Sequence, residues 1–279
     1  MKIAIISDIH GNLEALKTTL EDIQKRKIDK IFCLGDTIMK GHHSEECVKL
    51  VRENCDVVIR GNCDTVFDDV VTESIHNIPV EVLQQRIDYC KEVISEESKE
   101  YLRNLPFCYE FYMSGSLIRM FHAHPSDISG VIINEDSYEK KYEMIKPTEN
   151  TVSNKVADIV IFGHLHAPFM NKMYNKTLIN VGSVGNSFNV VRDDEKDSSV
   201  LETTNINYLI LDGEFGAEEY GASFGFEFVR IPYNIDKELE DLDKNIEPDA
   251  YIGEVKEGRY RNMSKILEKA EEIEKNKPV

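Results

Sequence analysis

The chain opens on Lys2-Ile-Ala-Ile-Ile-Ser7, a short β-branched run closed by polar residues, and the same texture returns at 30–34, 56–59 and 157–162. An unbroken apolar run of this length predicts a strand covered on both faces, since a half-exposed strand would alternate. Between the first two runs, Leu13, Leu16, Leu20 and Ile23 recur at helical spacing. Asn12 stands where an N-cap belongs and Glu14 falls in the first turn. This is a β-α-β opening, and 45–53 supplies the next helix.

From about 67 to 105 the strand signals stop. Leu83, Ile87, Cys90 and Ile94 mark a helix that Ser95-Glu96-Glu97 ends and restarts, so 67–105 is expected to be a helical cap or insertion. Beyond Pro106, two strands at 107–113 and 117–122 flank Ser114-Gly115-Ser116, a hairpin turn. Later strands are expected at 177–181, 207–211 and 227–231, and polar or glycine-rich surface loops at 196–204 and 213–223. Met263, Ile266, Leu267, Ala270 and Ile273 line one face of a charged helix over about 262–279, expected to pack on the body of a single domain, 1–279.

Composition narrows the class. A 279-residue chain with 41% apolar residues can bury a large core. No stretch approaches the roughly 20 apolar residues of a membrane span, and the first run breaks at Ser7-Asp8, so neither a signal peptide nor an anchor is expected. The six cysteines form no Cys-x-x-Cys pair, which speaks against a zinc ribbon or a secreted disulfide framework and for a cytoplasmic protein. A formal charge of -18 repels polyanions, so duplex nucleic acid is not an expected partner, and an anionic substrate must be drawn in by local cations.

Polar residues follow the buried runs at the ends where α/β sheets carry their ligand sites: Asp8-Ile-His10, Gly35-Asp36 and Gly61-Asn62, then His122 after a hairpin strand and Gly163-His164-Leu-His166 after 157–162. Imidazole nitrogens mixed with carboxylate and amide oxygens suit zinc, manganese or iron better than calcium. Asp8 and His10 can lean toward one ion from a single turn. His164 and His166 can serve one ion each if two metals lie about 3.5–4 Å apart, and Asp36 is acidic enough to bridge them. Each piece alone is weak, because polar residues routinely fill turns.

The ordered set resembles the calcineurin-like metallophosphoesterase superfamily: Asp8-Ile9-His10-Gly11-Asn12, Gly35-Asp36, Gly61-Asn62-Cys63-Asp64, His122, and Gly163-His164-Leu165-His166, followed by the Asn-x-Gly-Ser stretch within Ile179-Asn-Val-Gly-Ser-Val-Gly185. The Gly-Asn-Cys-Asp variant is similar to that of its bacterial phosphodiesterase-like branch. The resemblance implies an α/β fold, a four-layer α-β-β-α sandwich of two mixed sheets flanked by helices. It also implies two divalent metal ions, one held by Asp8, His10 and His166, the other by Asn62, His122 and His164, with Asp36 bridging. Manganese is expected, though iron, zinc and nickel suit the same ligands. The implied reaction is hydrolysis of a phosphoester by attack of a metal-bridging hydroxide, with Asp36, His122 and Asn62 at its centre.

One position departs from the family pattern. Many of these phosphatases carry a histidine as proton donor where this chain has Cys63, and a neutral thiol is a poor acid. Diesters and pyrophosphate-type bonds with good leaving groups fit that better than alkyl monoesters, so a small nucleotide-like substrate such as a dinucleoside polyphosphate is expected. A phosphomonoesterase or serine/threonine phosphatase is the alternative, and a non-catalytic scaffold on the same fold is the alternative of another class. His42 or His43 is the candidate leaving-group acid, and Asn12, Arg60, Cys63 and His124 are candidate substrate contacts; His76 reads as surface. No sequence feature sets the oligomeric state.

Overall fold

The computed structural model describes residues 1–68, 74–75, 78–187, 205–258 and 275. The first half runs β1 (Lys2–Ile6), α1 (Leu13–Lys25), β2 (Lys30–Cys33), α2 (Ser44–Asn54), β3 (Val57–Val58), a turn of 3-10 helix (Cys63–Phe67), β4 (Ser74–Ile75), β5 (Ile78–Pro79), α3 (Val80–Val93) and α4 (Glu96–Arg103). The second half runs β6 (Cys108–Met113), β7 (Ser116–Phe121), α5 (Tyr138–Glu143), β8 (Ile159–Phe162), β9 (Phe169–Met173), β10 (Lys176–Asn180), β11 (Ile206–Asp212), β12 (Gly225–Ile231), α6 (Ile235–Glu238), a second 3-10 turn (Leu242–Lys244) and α7 (Pro248–Glu257).

Two five-stranded mixed sheets stack face to face, in the orders β12-β11-β1-β2-β3 and β6-β7-β8-β10-β9, with helices outside. The β1-β2-β3 and β7-β8-β10 runs are parallel, so the carboxyl ends of β1, β2 and β3 share one edge, as do those of β7, β8 and β10. The period-2 geometry of strands sorts β1 cleanly: Ile3 and Ile5 face the layer between the sheets, with Phe32, Ile118, Ile161, Ile179 and Leu209, while Ala4 and Ile6 face Leu16, Ile23, Cys47 and Val51 of α1 and α2. Coverage on both sides is why this strand is apolar from Ile3 to Ile6.

The α/β sandwich agrees with the sequence expectation. Asn12 caps α1, its Oδ1 accepting the Ala15 N–H, and the Ser114-Gly115 turn joins β6 to β7 with both residues at positive φ. Within 67–105, α3 and α4 are separated at Ser95, which caps α4; the segment also carries the small β4-β5 pair, which periodicity could not register because each strand has two residues. Edge strand β9, with Met170 exposed, and helices α5, α6 and α7 went unread, since short elements show too few turns or alternations to define a period. The 196–204 loop, His76 and the helix expected over 262–279 lie outside the described residues, apart from Lys275.

Strand β7, which delivers His122, is anchored by a buried charge. Arg119 is fully buried; its Nε donates to Glu110 Oε1 at 2.6 Å and its terminal nitrogens donate to the carbonyls of Ile145, Lys146, Ser153 and Lys155. Arg119→Met would strip the buried Glu110 carboxylate of its cation, leaving it only Ser153 as a donor, and is expected to cost about 3–5 kcal/mol in urea unfolding, far beyond a surface arginine.

Candidate metal centre

Five of the seven candidate ligands leave a strand end on a tight backbone turn. Asp8, His10, Asp36, His164 and His166 all have positive φ, between 52° and 69°. A side chain in this left-handed region costs about 1 kcal/mol or more, so the surrounding structure must hold these turns. It does so with backbone hydrogen bonds: the N–H groups of Asp8 and His10 donate to the carbonyls of Gly35 and Asp36, which binds the first two strand ends together. The second sheet approaches so closely at Gly163 that a Cβ there would collide with Ser7 Oγ and Asp8 Oδ2. Only glycine permits that approach.

Each carboxylate has one oxygen satisfied by the fold and one aimed inward. Asp8 Oδ2 accepts Ser7 Oγ at 2.6 Å and the His164 N–H at 2.9 Å, while Oδ1, buried and without a hydrogen-bond partner, lies 3.2 Å from His166 Nε2, 3.8 Å from His10 Nε2 and 3.9 Å from His122 Nε2. Asp36 Oδ1 accepts the Cys63 N–H at 2.7 Å, and Oδ2 lies 3.5 Å from His122 Nε2 and 3.7 Å from His10 Nε2. Asn62 Oδ1 lies 3.0 Å from both His122 Nε2 and His164 Nδ1.

The imidazoles are oriented the same way. His10 Nδ1 faces the Ile38 carbonyl at 3.1 Å, His122 Nδ1 that of Leu34 at 2.7 Å, and His166 Nδ1 that of Asn186 at 2.6 Å. A carbonyl only accepts, so each neutral ring carries its hydrogen on Nδ1 and turns an Nε2 lone pair into the site. His10 and His166 bring theirs to 3.0 Å of each other. Lone pairs and carboxylate oxygens converging in a dry interior repel unless a cation lies among them, so the donor set fits a divalent metal.

The titration pattern expresses the same demand. Burial would lower His122, but the carboxylates of Asp36 and Asp8 overcome it and hold the ring up at about 10, so a proton there stands in for a cation. Burial would raise the carboxyls of Asp8 and Asp36, yet both are held well below the usual carboxylate range, Asp8 by His166 and His122, Asp36 by His122 and His10. Burial, Lys40 and His166 push His10 down, which keeps its lone pair available.

All seven candidates, Asp8, His10, Asp36, Asn62, His122, His164 and His166, thus meet at one place, and Cys63 joins them, its sulfur close to His10 and Asp36. The others are engaged elsewhere. Asn12 spends its amide on Ala15, Gly185 and Tyr233; Arg60 pairs with Asp68; His124 Nδ1 meets Ser126; His42 and His43 gather around Glu238. Sequence reading missed the supports. Asp64 accepts the N–H groups of Asp36, Thr37 and Gly61, and burial with Asp36 pushes it up to about 7. Ser183 donates to the Asp8 carbonyl, Asn180 to that of Gly163, and Lys40 Nζ to Asn186 Oδ1. Asp64 and Ser183 did stand inside recognised blocks; Lys40 carried no signal, because only the loop's path brings it to the site.

A model of the calcineurin-like phosphoesterase superfamily domain matches residues 1–205. The chain belongs to this superfamily. The uncharacterized protein MJ0912 of Methanocaldococcus jannaschii is 31% identical over 264 residues, 90% of this chain and 96% of that one. Two solved structures share the fold: a metallophosphoesterase from Sphaerobacter thermophilus, 20% identical with a TM-score of 0.63 over 91% of this chain and 99% of that one, and the hypothetical protein PH1004 of Pyrococcus horikoshii, 19% identical with a TM-score of 0.64 over 88% and 95%. The superfamily's metal dependence agrees with the donor set, and the chain is a metal-dependent phosphoesterase. Among the described residues no helix is long and apolar enough to cross a membrane.

Two outcomes follow for this superfamily member. Stripping metal with a chelator is expected to lower the unfolding midpoint, by a stability difference of about 4 kcal/mol against protein held at 1,000 times the metal Kd; calorimetry with and without the chelator checks it. Asp64→Asn turns an amide nitrogen toward backbone donors and is expected to weaken metal affinity about 10–100-fold by titration calorimetry.

Proposed function

We propose that the chain holds two divalent metal ions and hydrolyses phosphodiester or pyrophosphate-type bonds of a small nucleotide-like substrate, a class that includes dinucleoside polyphosphates. The observation that carries the reading is the position of Asp36 Oδ2, within 3.7 Å of imidazole nitrogens from both donor groups, His10 on one side and His122 on the other. Asp8, His10 and His166 form one group and Asn62, His122 and His164 the other, with Asp36 shared. Two bound cations supply Lewis acidity: they acidify water and neutralise charge on phosphoryl oxygens.

The chain's own groups then define the substrate. Cys63 is pushed up by burial and the Asp36 carboxylate, so it remains a neutral thiol and a poor proton donor; a substrate whose leaving oxygen needs little protonation fits it. Lys40, whose charge is felt by both His10 and Cys63, is the local cation that offsets the acidic surface for an incoming anion. Beside it, Met39, Arg86, Tyr89, Asn245 and Glu247 line a hollow against α3 with room for about one water. Manganese is the proposed metal and the cytoplasm the proposed compartment, in keeping with six free cysteines. A small phosphoester is the proposed partner, and neither duplex nucleic acid, which the net charge of -18 disfavours, nor a membrane is proposed.

Protein supplied with manganese is expected to turn over bis-p-nitrophenyl phosphate faster than p-nitrophenyl phosphate, and Asp36→Asn to abolish both. Metal-loaded protein inert on both, and on dinucleoside polyphosphates, would favour the scaffold alternative. The reverse preference would favour a phosphomonoesterase. Lys40→Gln is expected to raise KM about tenfold or more, the loss of one charge-assisted hydrogen bond worth about 1.5–3 kcal/mol.

A further inference from the structure

A second group of metal-type donors lies outside the seven residues described above. His42 and His43, in the turn before α2, face Glu238 at the end of α6, and one atom from each of the three lies within 4.8 Å of the others. His42 is 5% exposed and Glu238 fully buried. Both ring nitrogens of His42 and Nδ1 of His43 lack any hydrogen-bond partner. A neutral imidazole carries one donor and one acceptor, and leaving both unmet in the interior costs far more than a typical core residue pays, so this ring needs an explanation.

We infer that His42, His43 and Glu238 form a further site for a single divalent ion of the zinc class. The surroundings are built as the outer shell of such a site. His43 Nε2 lies 3.5 Å from Asp241 Oδ2, an arrangement that puts the ring hydrogen on Nε2 and turns the Nδ1 lone pair toward Glu238 Oε1, 3.7 Å away. Glu238 is itself oriented, Oε1 by the Tyr251 hydroxyl at 2.9 Å and Oε2 by the Glu14 N–H at 3.1 Å. Burial and the adjoining His43 lower His42, which keeps it neutral and able to donate a lone pair. Two imidazoles and one carboxylate are a zinc donor set that leaves a fourth position to water. The positive end of α2 opposes a cation here, and the carboxylates of Glu238, Asp241 and Glu46 offset it.

An ion at this point clasps the loop that carries Met39 and Lys40 to Glu238 of α6, which Tyr251 of α7 orients. The competing account is a plain ion pair, with His43 protonated between Glu238 and Asp241; it leaves His42 unsatisfied. Zinc content separates the two. Full-length protein is stripped of metal, reloaded with Zn2+, passed through gel filtration and assayed by mass spectrometry for ions per chain. Glu238→Gln and His42→Phe, each checked for folding by circular dichroism, are expected to bind one ion fewer than the parent. Asp36→Asn is expected to keep one ion that the Asp36→Asn/Glu238→Gln chain lacks, so this site is read apart from the first centre and from any activity. Either folded single variant binding as much zinc as the parent overturns the site.

Discussion

The structure depends on a single electrostatic constraint: two buried carboxylate oxygens, Asp8 Oδ1 and Asp36 Oδ2, face imidazole lone pairs with too few hydrogens among them. In water such groups would be solvated separately. Here they are held in a dry interior where unbalanced charge is expensive, and only added positive charge relieves it. That need converts a set of strand ends into a metal site. It also explains why the outer atoms of these side chains are so fully engaged: Nδ1 of His10, His122 and His166 and the second oxygens of Asp8 and Asp36 are committed to the fold, so their remaining atoms have one direction to point.

Holding the arrangement requires backbone conformations that L-residues avoid. Positive φ at Asp8, His10, Asp36, His164 and His166 means the turns are destabilising in themselves and persist because neighbouring strand ends lock them through mutual backbone hydrogen bonds and through Asp64. The cost is offset by the layer between the sheets, where Ile3, Ile5, Phe32, Ile118, Ile161 and Leu209 interlock away from the site. Rigid strands carry the ligands while the loops between them carry what varies, above all the 37–43 loop with Lys40, His42 and His43. Packing of Ile38 and Met39 against Ile87 and Cys90 of α3 makes the 67–105 segment a support for that loop.

Much of this was legible in the residues. The apolar runs announced the strands because both of their faces are buried, and α1 and α4 were marked by caps whose hydrogen bonds the structure contains. The seven donors stood out as polar residues breaking out of apolar runs at strand ends, a pattern packing alone does not produce. Substrate contacts were less legible. Asn12, Arg60, His42, His43 and His124 were proposed because they adjoin the motif, but nearness along the chain says little about direction. Asn12 is the cap its position predicted, with its amide nitrogen turned to Gly185 and Tyr233, while Arg60 pairs with Asp68 and the histidine pair neighbours Glu238, nearly two hundred residues away.

The sequence by itself therefore determined the fold class, through hydrophobic periodicity, and the family, through the ordered motif blocks, and it named polar side chains that the structure brings together, because periods, turns and motifs are local properties. Only the tertiary structure decided which atom of each donor faces inward, that Lys40 reaches Asn186, and that a turn before α2 meets α6. Those facts depend on how distant segments cross. Along a chain the geometry of such a crossing leaves no period, cap or motif to read.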